Sequence, residues 1–311
     1  MLNIITGRSG CGKTQRVSEI LAEIAAGGKK CMMIVPDQST FENEKMFLRL
    51  LGPKLAGNVL VFGFTRLCKY IFENTEGKIP LCIDDGDRQL VMSLALEETA
   101  QSLSLFSSEK RRGEYIKTLL QTVTDYKKWG ITPQMLDDVS SKTKDKMLKA
   151  KLSETALVYS AYDAILNDDR ENKIDPFDMT EAAYDRLAGT DLFKGMVVAV
   201  DSFRDFTSRQ TKLLSKIMER SSQFYMTVTD DPTAPDGSGL FASTRANRRI
   251  FENQAKENNI EISRPVVLQE NKRFENEELL YLERGFLSGS SETCDDTVEN
   301  VFLSRCGSIY S

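Results

Sequence analysis

Short apolar runs alternate with helical patterns near the start of the chain. The apolar runs are Leu2–Ile5, Cys31–Val35 and Val59–Phe62. Between the first two, apolar residues recur at the i, i+3, i+4, i+7 spacing of one helix face, at Val17, Ile20, Leu21 and Ile24. A second helix is predicted from about Phe41 to Leu51. Unbroken apolar strands separated by helices are typical of a parallel sheet with both faces covered.

Two further apolar strands follow much later, at Met196–Val200 and Phe224–Thr229. The long stretch before them has mostly helical periodicity, with helices predicted at Asp87–Gln101, Ile116–Trp129, Leu152–Leu166 and Thr180–Leu187. The apolar stripe of the Ile116–Trp129 helix is interpreted as core, with a partner interface as the alternative. The pattern therefore predicts an α/β fold. Residues 1–80 and 190–311 form a parallel-sheet core, and residues 81–189 form a large helical insertion.

The chain after Ser263 is polar and gives weaker signals. A helix is predicted near Asn276–Gly285, a Ser/Gly-rich loop at Leu287–Ser291 and a final strand at Val298–Leu303. Because the sequence stops just after this strand, we expect it to be the N-terminal fragment of a longer subunit.

Composition limits the chemistry that the chain can perform. Hydrophobic residues make up 41% of its 311 residues and charged residues 28%, which is ordinary for a globular protein. The net charge of −5 argues against coating nucleic acid by bulk electrostatics, although a local basic patch is compatible with it. The sequence contains no histidine, which excludes Ser-His-Asp and Cys-His nucleophile systems and every histidine-ligated metal.

The six cysteines are scattered without a C-x-x-C pair, which predicts reduced thiols in a cytoplasmic protein. No signal peptide opens the sequence, and no apolar run approaches the ~20 residues of a membrane span. We therefore expect no membrane partner.

One motif carries a specific chemistry. Residues 7–14 read G-R-S-G-C-G-K-T and fit the P-loop pattern G-x-x-x-x-G-K-[ST] between a predicted strand and a predicted helix. In such a loop, glycines let backbone N–H groups point at phosphate oxygens, and the helix N-terminus favours the same anion. Lys13 is expected to reach the β- and γ-phosphates. The predicted nucleotide-binding residues are Gly7, Arg8, Ser9, Gly10, Cys11, Gly12, Lys13 and Thr14.

A P-loop also needs ligands for Mg²⁺. The Thr14 hydroxyl is predicted to take one position, and Asp201, directly after the Met196–Val200 strand, is predicted to supply the carboxylate. The alternative for Asp201 is a carboxylate in a strand-end turn. The next residue is Ser202, where hydrolases of this class commonly carry a glutamate that positions the attacking water. The sequence thus predicts nucleotide binding but not efficient hydrolysis, and no catalytic residue is assigned.

Four segments resemble the motifs of superfamily 1 helicases, in the same order. Val61–Leu67 looks like the T-x-H-S segment, with arginine in place of histidine, and Lys173–Met179 is similar to the D-F-D-D-L segment. Val200–Phe206 resembles motif II, V-D-E-x-Q-D, with the Glu and Gln replaced. Thr229–Pro232 stands where motif III carries G-D-x-x-Q, without the Gln.

This altered series resembles the AddB component of AddAB-type ATP-dependent helicase–deoxyribonucleases. Val35–Phe41 strengthens the likeness, since the family tends to read V-P-E-Q-x-T-F there. The resemblance implies a RecA-like P-loop NTPase fold, with the sheet core as a helicase domain 1A and the insertion as domain 1B. The implied cofactors are ATP and Mg²⁺, and ATP rather than GTP rests on the resemblance alone.

The resemblance also implies a biological setting. The family acts in double-strand break repair and recombination, and its AddB component has lost translocation and pairs with an AddA-type motor subunit. It scans single-stranded DNA for a recombination signal. The nuclease carboxylates and the iron–sulfur cysteine cluster that the family carries cannot be found in this sequence.

Contacts with single-stranded DNA are predicted at Phe64, Thr65 and Arg66, from aromatic faces for stacking and an arginine for phosphate. Core packing of the aromatic ring is the alternative. Basic clusters at Lys110–Arg112, Lys127–Lys128 and Arg245–Arg249 are interpreted as solvated helix faces.

Two other functions remain open from the sequence. One is a P-loop kinase acting on a small acceptor, although no compact arginine-rich lid is found. The other is a non-catalytic scaffold that nucleotide only stabilises, and Ser202 favours this version.

Overall fold

The computed structural model of the chain describes residues 1–104, 113–167, 172–231, 239–285 and 301–302. The predicted loop at Leu287–Ser291 and the basic cluster Lys110–Arg112 lie outside these residues. Of the predicted final strand, only residues 301–302 are described, and they are not in a strand.

Eight strands are described. They are β1 (Leu2–Gly7), β2 (Cys31–Ile34), β3 (Val59–Phe62), β4 (Leu81–Cys82), β5 (Lys173–Ile174), β6 (Val197–Val200), β7 (Gln223–Thr229) and β8 (Val266–Leu268). Six of them form one sheet in the order β3-β2-β6-β7-β1-β8, and every pairing in it is parallel. The predicted α/β class and parallel sheet are confirmed. The other two strands, β4 and β5, pair with each other.

Eleven α-helices are found in the described residues. They are α1 (Lys13–Ala26), α2 (Thr40–Ala56), α3 (Phe64–Glu73), α4 (Asp85–Thr99), α5 (Gly113–Trp129), α6 (Pro133–Lys142), α7 (Lys146–Leu166), α8 (Met179–Leu187), α9 (Ser208–Arg220), α10 (Ala242–Glu257) and α11 (Glu277–Gly285). Helix α2 runs past its predicted end at Leu51, with a kink at Gly52 (φ 71°) before Pro53. In the described part of the chain, none of these helices combines the length and apolar character needed to cross a bilayer.

The sheet buries both faces because successive side chains of a strand point in opposite directions. On one face, residues such as Ile4, Ile34 and Val200 pack with helices α3, α8, α9 and α10. On the other face, Ile5, Met33 and their neighbours pack against α1 and α2. This double coverage explains why the strands read as unbroken apolar runs.

Helices α4 to α7 pack around a separate apolar cluster, which includes Met92, Leu120 and Tyr159. The stripe on α5 belongs to it, since Leu119, Leu120 and Val123 are buried, as the core interpretation predicts. Trp129, at the end of α5, is 73% exposed and lies outside that core. The division of the chain into domains at residues 80 and 190 stays a prediction.

Lys127 lies at the contact between the helical cluster and the sheet region. The interpretation of Lys127–Lys128 as a solvated face is wrong for Lys127, which is only 1% exposed. Its amine donates to Asp163 at 2.7 Å and to Asp178, and it faces the rings of Tyr159 and Tyr162. The carboxylate of Asp178 also accepts from Arg209 on α9 at 2.6 Å, so it joins the helical cluster to the sheet layer.

Arg245 gives a second correction of the same kind. The interpretation of its cluster as a solvated helix face is wrong for this residue, which is 9% exposed. Its Nε donates to Asp230 at 2.7 Å and its Nη2 to the carbonyl of Asp231 at 2.9 Å. A buried carboxylate partner compensates for the lost hydration of the guanidinium, and a charge pattern alone does not reveal this.

Candidate functional site

The predicted phosphate loop lies between β1 and the start of α1. Gly10 and Gly12 have φ of 86° and 80°, in the left-handed region that favours glycine. Gly7 is required for a different reason, because a Cβ there would collide with the Leu268 carbonyl oxygen of the adjacent strand β8. The helix that follows directs its N-terminal backbone donors toward this loop, as an anion site needs.

Lys13 is held in the loop through its amine. Its Nζ donates to the carbonyl oxygens of Gly7 at 2.9 Å and Arg8 at 2.8 Å. Burial lowers the pKa of Lys13 below its ordinary value, and Arg273 acts in the same direction while Asp201 opposes it. An anion beside Lys13 would therefore favour the charged form of the amine.

Asp201 and Thr14 meet across the sheet edge although 187 positions separate them in the sequence. The Thr14 hydroxyl donates to Asp201 Oδ2 at 2.8 Å, and the Thr227 hydroxyl donates to Oδ1 at 2.6 Å. The topology places them together because β6 pairs with β7 and β7 pairs with β1, with all three carboxyl ends at one edge. Asp201 is 1% exposed, so its orientation is fixed by these hydroxyl donors.

Ser202 has an unusual backbone for a residue other than glycine. Its φ is 64°, and its hydroxyl donates to Asp201 Oδ2 at 2.8 Å. Asp205, the next carboxylate along the chain, accepts from Ser243 on α10 and has a side chain that is 65% exposed. The side chain after Asp201 thus orients the carboxylate and provides no general base of its own.

Lys272 and Arg273 are site residues that the sequence does not predict. The backbone N–H of Lys272 donates to the Gly10 carbonyl at 2.8 Å, and Arg273 Nη1 donates to Ser9 Oγ at 3.2 Å. Asn271 secures this turn, accepting from the N–H groups of Arg273 and Phe274 and donating to the Ser9 carbonyl. The sequence signal is a Lys-Arg pair following a short apolar run, and nothing in it indicates proximity to residues 7–14.

These groups enclose a cleft of about 420 Å³. It is lined by Ser9, Gly10, Gly12, Lys13, Thr14, Asp201, Ser202, Phe203, Thr227, Thr229, Lys272 and Arg273. Three of the lining side chains are cations and one is a carboxylate. Such a balance suits an anion that carries a divalent cation with it.

The oxygen groups beside Asp201 suit Mg²⁺ in their chemistry. Carboxylate and hydroxyl oxygens are the hard ligands that Mg²⁺ prefers, and it is commonly held by one or two carboxylates together with substrate phosphates. Within the described ranges, no group of three or more His, Cys, Asp or Glu side chains is placed to form a cage made of protein alone. Thr14 and Asp201 would hold the ion only together with a ligand.

The three predicted DNA-contact residues have different environments. Phe64 is 8% exposed and packs edge-to-face on Phe203 with ring centroids 5.5 Å apart, so it takes the core alternative. Thr65 is exposed at the start of α3. Arg66 is exposed too, donates to Glu44 at 2.6 Å and lies over the Phe62 ring. A cavity of about 300 Å³ begins beside Thr65 and reaches Lys128 and Phe177 of the helical region.

The four cysteines in the described parts of the chain are free, which agrees with the prediction for them. Cys11 is buried within the phosphate loop. Burial raises the pKa of both Cys31 and Cys68 to about 12, so these two thiols stay protonated and unreactive at neutral pH.

Fold and site together define the class of protein. It is an α/β protein with a parallel six-stranded sheet, whose first strand leads through a glycine-rich loop into a helix. The family described as ADDB, N-terminal, matches residues 4–283. The chain belongs to this AddB family, which confirms the resemblance seen in its motifs.

Curated relatives agree with this assignment. The B subunit of the ATP-dependent helicase/deoxyribonuclease of Caldanaerobacter subterraneus subsp. tengcongensis is 29% identical, over 100% of this chain and 27% of the relative. Proteins of the same name from Thermoanaerobacter sp. (strain X514) and Clostridium acetobutylicum are 28% and 27% identical with the same coverage. The chain thus spans about 27% of the length of these relatives.

Proposed function

We propose that this chain is the nucleotide-binding N-terminal region of one component of a helicase–nuclease. It binds Mg-ATP in the cleft between residues 7–14 and Asp201. The observation that carries the proposal is the 2.8 Å hydrogen bond between Thr14 Oγ1 and Asp201 Oδ2. A hydroxyl and a carboxylate from distant segments meet next to a glycine-rich loop, which is the arrangement that a metal-bound triphosphate requires. Bound Mg²⁺ would neutralise phosphate charge.

Each side chain of the cleft has a distinct role in this proposal. Lys13 exchanges its two carbonyl acceptors for phosphate oxygens, which form stronger charge-assisted hydrogen bonds. Lys272 and Arg273 add positive charge from the opposite side of the cleft. Asp201, oriented by Thr227 and Ser202, keeps its oxygens directed at the metal position.

The proposed fold is a RecA-like P-loop NTPase core with a domain 1B-like insertion. Intrinsic hydrolysis is weak or absent, because Ser202 carries no carboxylate to position water and its hydroxyl is occupied by Asp201. Translocation along DNA is then the work of another subunit. Relatives named as one subunit of an ATP-dependent helicase/deoxyribonuclease support an AddA-type motor partner, single-stranded DNA as ligand and a cytoplasmic role in double-strand break repair and recombination.

The substitution Asp201→Asn tests the metal role. We expect the affinity for Mg-ATP to fall about 10-fold, because an amide oxygen is a weaker ligand and carries no charge, whereas affinity for ATP with excess EDTA changes less than about 2-fold. Calorimetric titration with and without Mg²⁺ measures both. Asp205→Asn, on the same connection after β6, is the matched control and is expected to change neither.

An equal loss with and without Mg²⁺ would contradict the metal assignment. That result would mean that Asp201 maintains the loop through Thr14 and Thr227 without contacting a metal.

The substitution Arg66→Ala tests the DNA proposal. Its guanidinium is exposed on α3, and its ion pair with the exposed Glu44 contributes little to stability. We expect affinity for a fluorescent oligothymidylate to fall about 3-fold and the salt dependence of binding to become shallower, because one phosphate contact is lost. Lys69→Ala, one turn further along α3, is the control. Unchanged affinity and salt slope in Arg66→Ala would remove Arg66 from the interface.

A nucleotide-stabilised scaffold is the second candidate. The hydrogen bond from Ser202 to Asp201 favours it, since it occupies the position from which water would be activated. Saturating Mg-ATP that raises the thermal midpoint, with no phosphate released even in the presence of single-stranded DNA, would support this version. The kinase alternative finds no support in the family to which the chain belongs.

A further inference from the structure

The side chain of Arg8 turns away from the cleft and toward helix α11. Its Nε donates to the Glu283 carboxylate at 2.8 Å, and its Nη2 donates to the Glu283 backbone carbonyl at 2.5 Å. Its Nη1 donates to Asp231 at 2.8 Å, and the guanidinium lies 5.9 Å from the centre of the Phe241 ring. One phosphate-loop residue therefore joins three segments that are far apart in the sequence.

The residues next to Arg8 hold the same C-terminal segment. Ser9 and Gly10 accept hydrogen bonds from Asn271, Lys272 and Arg273, which precede α11. The segment 271–285 is thus fastened to three consecutive residues of the phosphate loop. A change in the loop must be felt by this segment at both of its ends.

We propose that Arg8 is a positioning residue that couples occupancy of the phosphate cleft to the position of α11. The coupling rests on the proposed function, since it requires a nucleotide in the cleft. Its physical basis is the double role of Arg8, whose carbonyl accepts from Lys13 and whose side chain holds Glu283. When phosphate takes over Lys13, the backbone of Arg8 loses a donor and the loop can adjust.

The direction of the coupling follows from the charges. Phosphate attracts Lys272 and Arg273, and this draws the start of the segment toward the cleft. Arg8 transmits the same movement at the other end, because its two hydrogen bonds to Glu283 fix α11 to the loop. Nucleotide therefore tightens α11, and by reciprocity a firmly held α11 raises the affinity for nucleotide.

Hydrogen exchange of the full chain tests this coupling. We expect saturating Mg-ATP to slow exchange of the backbone amides in residues 277–285 about 5-fold in the parent, in line with ordinary coupling strengths. In Arg8→Ala, these amides exchange fast both with and without nucleotide, and Mg-ATP binds about 5-fold more weakly. A purely structural role would not remove the response to nucleotide.

Matched variants make the outcome specific. Glu283→Ala should reproduce the Arg8→Ala effect on affinity, and the double variant should add nothing further, because both changes break one contact. Arg16→Ala, which removes a half-exposed arginine of α1 paired with Glu19, should leave the α11 response intact. Arg8→Lys keeps the charge but not the paired donors, and it should restore little of the response.

The results separate this inference from the function on which it rests. A parent that binds Mg-ATP without any change in α11 exchange overturns the coupling and leaves nucleotide binding in place. An Arg8→Ala variant that retains the parent response also overturns it. A folded parent that does not bind Mg-ATP overturns the proposed function and the coupling together.

Discussion

Replacing Lys127 with methionine is expected to lower the free energy of unfolding by about 3 kcal/mol. The ammonium of Lys127 is buried between the carboxylates of Asp163 and Asp178. Its removal leaves two partly buried carboxylates without their shared cation. Burial already raises the pKa of Asp163 above its ordinary value even with Lys127 present, which shows how poorly this position tolerates a lone negative charge. Urea unfolding followed by circular dichroism measures the change.

The neighbouring lysine provides the control. Lys128 is 41% exposed at its side chain, and it pairs with Asp125 at 3.5 Å. Lys128→Met should therefore change the free energy of unfolding by less than about 0.5 kcal/mol. A Lys127→Met effect as small as that of Lys128→Met would show that the buried contacts do not stabilise the junction.

The apolar strands are the part of the fold that the sequence predicts best. The runs at β1, β2, β3, β6 and β7 are unbroken because both faces of the sheet are covered, and such runs need no partner to be recognised. Strand β8 escapes prediction because it has three residues, two of them the exposed Val266 and Val267. Its place at the sheet edge depends on pairing with β1, which no local pattern encodes.

Within the site, local and distant residues differ in the same way. The loop at residues 7–14 is a contiguous motif, so its residues can be predicted directly. The role of Asp201 is inferred from its place after a strand, and its contact with Thr14 agrees with that inference without testing metal binding. Arg273 contacts Ser9 from 264 positions away, and only the tertiary structure brings them together.

Residues with two plausible environments could not be resolved from sequence. Phe64 suits either base stacking or core packing, and the edge-to-face contact with Phe203 places it in the core. Lys127 and Arg245 have the composition of a solvated helix face. Both are buried because acidic partners from other elements compensate their charge, and those partners are not evident from the helix sequence itself.

Replacing Lys13 with alanine is the second large effect. We expect affinity for Mg-ATP to fall at least about 100-fold, because a partly buried cation that bonds phosphate directly contributes about 3 kcal/mol. The variant also loses the hydrogen bonds from Lys13 to the Gly7 and Arg8 carbonyls, so its thermal midpoint should be recorded alongside the parent. Lys29→Ala, which replaces an exposed lysine after α1, should bind like the parent.

The measurement that tests the central claim most directly is calorimetric titration of Mg-ATP into the 311-residue chain and into Lys13→Ala. The phosphate-cleft account predicts saturable binding to the parent and to Lys29→Ala, with no detectable binding to a folded Lys13→Ala. Equal binding by the parent and Lys13→Ala would place the nucleotide elsewhere. A folded parent that gives no binding heat at several temperatures would contradict the account.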